Sequence, residues 1–82
     1  MRFYIDEEES VLIKEAIKKS EYKTQKNFAE KAMGLTSGTW EHRISGRRGF
    51  GVLEVKVMKI ELSEFVKIDT KDNKITVSKI EG

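Results

Sequence analysis

Neither cysteine nor proline occurs in the 82 residues, histidine and tryptophan occur once each, and aromatic residues make up 9% of the chain. Without cysteine there is no disulfide framework and no thiolate metal site, a composition that suits a reducing compartment. A single histidine, His42, cannot build a metal cluster, and the hydroxyls available as nucleophiles are scattered. The longest uncharged stretch, Ala32 to Trp40, is broken by Gly34 and Gly38 and falls far short of a bilayer span. The opening residues MRFYIDEEES carry acids where a signal peptide has its apolar segment. A cytoplasmic location is therefore expected, with no membrane contact. The glycine-rich run GRRGFG, Gly46 to Gly51, lacks the Lys-Ser/Thr ending of a phosphate loop and follows no apolar strand. Carboxylates are plentiful but stand among lysines on wet helix faces, where they are solvated rather than tuned. With no convergent acid, base and nucleophile, the chain is not expected to be an enzyme, and no cofactor or metal is implied.

What is present is charge, 37% of residues, set against 38% hydrophobic residues and a net charge of +2. The length fits one domain, 1–82, whose core must be economical at this size. The pattern predicts an α+β fold in three parts: an N-terminal strand or arm (1–6), a helical core (7–62) and a C-terminal β-hairpin (64–80). Phe3 and Ile5 alternate in the arm. Asp6 and Glu9 have capping-box spacing ahead of a first helix, Glu7 to Lys19, with Leu12, Ile13, Ala16 and Ile17 as its apolar stripe. Thr24 caps a second helix, Gln25 to about Ala32, which ends before Gly34. Thr36 caps a third, Ser37 to about Ser45, with Trp40 and Ile44 on one face and Gly46 as its stop. Val52 to Leu62 fits either period: Leu53, Val55 and Val57 alternate, while Val52, Val55, Met58 and Leu62 have helical spacing. A helix is the preferred assignment. Two β-rich runs flank Asp72-Asn73, which predicts a hairpin with Ile68 opposite Val77 and Thr70 opposite Ile75. A lone hairpin is marginal in water, so a third strand is expected from Arg2 to Ile5, or else a partner subunit.

The segment Thr24 to Arg48, TQKNFAEKAMGLTSGTWEHRISGRR, carries the functional signal. Thr24-Gln25 opens a helix, Ala29 packs inside it, Gly34-Leu35 makes the turn, Thr36 caps the next helix, and Ile44-Ser45-Gly46-Arg47-Arg48 closes it. In this order and spacing the chain resembles the Cro/repressor-type helix-turn-helix family of phage and bacterial transcription regulators, over about Glu9 to Leu62. The resemblance implies a regulator in a bacterial cell or phage-infected host that binds double-stranded DNA as a homodimer on a palindromic site, the third helix entering the major groove. Some members of that family dimerise through a C-terminal hairpin. The helical wheel leaves Gly38, Glu41, His42 and Ser45 exposed, with Ser37 at the helix start. Candidate base contacts are Ser37, Gly38, Glu41 and His42, and Gln25 is a candidate for an adenine edge or a phosphate. Lys23, Lys26, Arg43, Arg47 and Arg48 are candidate phosphate contacts. The pattern departs from the family in three places: an extra residue between Ala29 and Gly34, which predicts a longer turn; Gly38 in the middle of the reading face, which offers no side chain; and Glu41, which phosphates repel.

Charge is distributed to match. Residues 1–9 hold one base against four acids, residues 10–35 six lysines against three acids, and residues 36–48 three arginines against Glu41 alone. Lys14 and Lys18 on the first helix are read as a solvated face. Gly38, Glu41 and the acidic N-terminal region keep a second class of function open, in which the same helices bind a host or phage protein as an antirepressor or inhibitor.

Overall fold

Four helical segments and a hairpin follow one another in the computed structural model, which describes residues 1–80; the last two residues of the expected 1–82 domain lie outside the described residues. Helix α1 spans Glu7–Lys19, α2 Gln25–Asn27 with a π-helical continuation Phe28–Met33, α3 Ser37–Ile44 and α4 Val52–Glu61. Strands β1 (Val66–Lys71) and β2 (Lys74–Lys79) form an antiparallel two-stranded sheet, so the fold is α+β as the sequence predicts. No helix among the described residues is long and apolar enough to cross a membrane.

Local chemistry sets most boundaries. Thr24 Oγ1 accepts from the Asn27 N–H at 3.1 Å, and Thr36 Oγ1 from the Thr39 N–H at 3.2 Å, as expected of N-caps. Asp6 behaves differently: its side chain makes no cap hydrogen bond and instead accepts from Lys74 Nζ at 3.0 Å. The capping box predicted there does not form, because the hairpin supplies a competing cation.

The extra residue before Gly34 is taken up inside the helix, not in the turn. From Phe28 the helix widens to π geometry, and the N–H groups of Gly34 and Leu35 both reach the carbonyl of Ala29. A π turn holds one residue more than an α turn, so an insertion is absorbed without moving the next helix. Gly34 then reverses the chain at φ 68°.

Aromatic rings tie these pieces together. Tyr22, Phe28, Trp40 and Phe50 make successive edge-on contacts at centroid distances of 5.3, 5.5 and 5.8 Å, a geometry that adds to their area burial. Ala29 is fully buried where the π segment meets its neighbours, and Ile13, Ile17, Ile44, Met58, Leu62 and Ile68 complete the centre. In α4 the inward residues are Val55 and Met58, followed by Leu62; Val52, expected among them, is 46% exposed. The hairpin register matches expectation, with Ile68↔Val77 and Thr70↔Ile75.

The arm supplies two isolated bridges and not a third strand. Tyr4 pairs with Lys74, in parallel, and Phe3 pairs with Phe50. Phe3 and Phe50 exchange both backbone hydrogen bonds, at 2.9 and 2.7 Å. The arm thus divides its bonding between β2 and the loop after α3, too thinly to propagate a ladder.

Candidate nucleic-acid interface

The side of α3 away from the core bears the predicted residues together. Trp40 and Ile44 are buried, while Ser37, Gly38, Glu41, His42 and Ser45 all face solvent. The helix is anchored at both ends. Thr36 caps its start, and at its end Ser10 Oγ of α1 donates to the Ile44 carbonyl at 2.8 Å.

Beyond α3 the chain turns back through Gly46, at φ 86°, into a loop carrying Arg47 and Arg48. This loop is fixed. The Arg48 N–H donates to the His42 carbonyl at 3.0 Å, and Arg47 Nε to Ser45 Oγ at 3.2 Å. A methyl group on Gly46 would stand 2.9 Å from the Ile5 carbonyl, and one on Gly49 would stand 2.6 Å from Arg2 Cβ. Glycine at both positions therefore lets the loop lie flat on the arm. Both arginine side chains remain exposed. Thr39, His42, Arg43 and Arg48 line one depression of about 270 Å³, so His42 and Arg48 belong to a continuous surface.

Two predicted contacts are differently placed from a free reading group. Arg43 is engaged by the Glu54 carboxylate and its side chain is only 18% exposed, so it is not the free phosphate-binding cation its charge suggests. Glu54 also accepts from the Gly51 N–H at 2.7 Å and lies 3.8 Å from Arg2. It thereby joins the arm, α3 and the start of α4. Gln25 Oε1 accepts from the indole N–H of Trp40 at 2.9 Å. Because the indole nitrogen only donates, the amide orientation is determined. Reading adenine in two bonds uses both ends of the amide, and the oxygen keeps one lone pair for that purpose beside the bond from Trp40. The Nε2 donors remain, which suits a phosphate oxygen.

Lys23 and Lys26 are exposed at the start of α2. Lys23 holds a left-handed backbone, φ 66°, at the bend before Thr24. The packing of α1 against α2 also brings Lys14 and Lys18 beside Lys23 and Gln25. The sequence pattern gives those two lysines only as a solvated face. Their separation of four residues marks a shared face, but which neighbour that face meets is set by tertiary packing. Among the described residues no group of three His, Cys, Asp or Glu side chains is arranged to hold a metal.

Compared with family models, curated proteins and solved structures, the chain finds no match.

Proposed function

We infer that this protein is a sequence-specific double-stranded DNA-binding transcriptional regulator of the Cro/repressor type, acting in the cytoplasm as a homodimer on a palindromic operator. One observation carries the reading: Ser37, Gly38, Glu41, His42 and Ser45 form an outward row on a helix locked from behind by Trp40 and Ile44, and that row runs into the pinned Arg47-Arg48 loop. A short helix mounted this way fits the major groove, with the preceding helix across the backbone. His42 and Ser37 donate to base edges or phosphates, and Glu41 accepts from a cytosine amine. Gly38 admits the groove wall close to the backbone. Arg47, Arg48, Lys23 and Lys26 neutralise phosphates, Gln25 donates through Nε2, and Arg43 holds α3 against Glu54. Repression follows from occlusion of promoter DNA.

Support for a second copy comes from β1. Its hairpin partner lies on one edge only, and the register turns the N–H and C=O groups of Ile68 and Thr70 towards the other. Antiparallel pairing of β1 with its copy about Ile68 sets Lys67 opposite the copy's Asp69, twice by symmetry. Opposite charges facing across strands favour that register.

A different observation favours a protein partner. Leu53 and Ile60 on α4 are 74% and 70% exposed, and the α3 row includes Gly38, which brings no side chain to a base, and Glu41, whose charge phosphates repel. On this alternative the chain is a phage-type antirepressor or inhibitor of a host or phage protein.

Selection of random-sequence duplexes by the purified protein at near-physiological salt separates the two. Enrichment of a palindrome with half-sites about one DNA turn apart, roughly 34 Å, is the expected result. Weak, unselective retention that vanishes as salt rises would overturn the DNA reading and favour the protein partner.

A further inference from the structure

A groove of about 370 Å³ lies between α1 and the start of α2, lined by Lys14, Lys18, Lys23, Thr24, Gln25 and Glu15 among others. Its polar lining is one-sided in chemistry. Gln25 Oε1 is occupied by Trp40 Nε1 at 2.9 Å, and Thr24 Oγ1 by the Asn27 N–H at 3.1 Å. Glu15, the lining carboxylate, is drawn to Lys79 on the hairpin at 3.7 Å. The lysines Lys14, Lys18 and Lys23, by contrast, make no ion pair among the described residues. Each of these acceptors thus has a partner within the protein, while three ammonium groups, an amide NH2 and a hydroxyl are left to donate outward.

Such a lining fits an anion with several oxygens. The groove is open, and its wall includes the half-exposed Val11, so a deoxyribose-phosphate chain fits better than a compact ion. The groove also adjoins Gln25, whose partner Trp40 belongs to the helix that carries the reading row.

We propose that this groove is a second backbone track, in which Lys14, Lys18 and Lys23 hold a DNA phosphodiester outside the segment covered by α3. The assignment rests on the DNA reading above. It makes part of α1, which has no role in the reading row, a contributor to affinity without sequence preference.

The test is the double variant Lys14→Gln/Lys18→Gln, measured by fluorescence anisotropy on the selected duplex across a salt series. Neither side chain is buried or ion-paired among the described residues, and circular dichroism verifies the fold. Removing two phosphate contacts should lower the slope of log K against log salt by about two and weaken binding roughly thirtyfold near 0.15 M salt. The control Lys19→Gln/Lys71→Gln removes equal charge from residues outside the groove and should change binding by less than about threefold. Amide shifts in the labelled protein locate the contact: duplex DNA should move the signals of residues 14, 18 and 23 to 25. Wild-type affinity in the groove variant overturns the track and leaves the DNA reading intact. Equal loss in both double variants also overturns it, since total charge alone would then matter. Shifts induced by inorganic phosphate, with DNA affinity unchanged by the variant, would assign the groove to a free anion and overturn the proposal. No binding of any duplex by the wild type overturns both.

Discussion

Ser10 Oγ donates to the main-chain carbonyl of Ile44 at 2.8 Å, joining the first turn of α1 to the last residue of α3 across 34 positions of sequence. Both residues are buried, so the carbonyl has no water to replace the hydroxyl. Ser10→Ala leaves it unsatisfied, at a cost of about 1–2 kcal/mol. In a domain of this size the melting temperature should fall by roughly 5–10 °C. Thermal unfolding followed by circular dichroism checks this, and an unchanged Tm would show that the bond contributes nothing to mounting α3.

Two glycines, one on the outer face of α3 and one in the loop after it, should respond in opposite directions to alanine. Gly46 combines φ 86° with an Ile5 carbonyl 2.9 Å from any added methyl. Gly46→Ala is therefore expected to destabilise by about 1–3 kcal/mol. At Gly38 the backbone is helical and an added methyl meets nothing within 4 Å. Gly38→Ala should stabilise by up to about 1 kcal/mol from helix propensity. If α3 enters a groove, the same methyl group obstructs it, so DNA affinity should fall while Tm rises. Chemical denaturation paired with duplex binding reads both effects.

The proton on Tyr22 gives stability a dependence on alkaline pH. Its hydroxyl is hydrogen-bonded to the Glu61 carboxylate, which, with burial and the charges of Glu61 and Glu21, pushes its pKa up from 10.0 to about 12. The folded state holds the proton more tightly than the unfolded state. This contribution is therefore fully present below pH 10 and is lost as the pH rises from 10 towards 12. The site is partly exposed, so solvent screening keeps the effect small. Tyrosinate absorbance should show a late transition near pH 12. Tyr22→Phe should remove that late transition and flatten the alkaline fall in stability.

Helix α1 was legible in the sequence residue for residue, because acids at its start, lysines at its end and a 3.6-residue apolar stripe agree. The hairpin register was legible too, since the Asp72-Asn73 turn and two alternating runs admit few pairings. The arm was not, because whether Phe3 pairs with a strand or with Phe50 depends on where a distant loop comes to rest. Within the site, the wheel of α3 was correct from Trp40 and Ile44 alone. What escaped was the partnering of polar side chains. Arg43 belongs to Glu54, eleven residues on, and Gln25 to Trp40, fifteen residues on. Neither pairing has a local signature.

The self-pairing proposed for β1 is testable by charge reversal. Lys67 and Asp69 both lie on the solvent side of the strand, and with pairing centred on Ile68 each meets its opposite charge on the second copy. Opposite charges across strands are worth about 0.2–1 kcal/mol per pair, and like charges repel. Lys67→Glu sets a second carboxylate against Asp69 at two symmetric places, so the dimer should weaken by about tenfold. Lys67 is exposed and its own contact with Asp69 is long, 3.9 Å, so the fold of the monomer should be unaffected. Adding Asp69→Lys restores opposite signs and should recover most of the lost affinity, less what repulsion from Lys59, now 3.4 Å from Asp69, takes away. Sedimentation equilibrium of the three proteins measures this directly. Recovery in the charge-swapped protein cannot come from net charge, which is the same in the wild type and the double variant. If Lys67→Glu leaves the association constant unchanged, the second copy does not sit on β1.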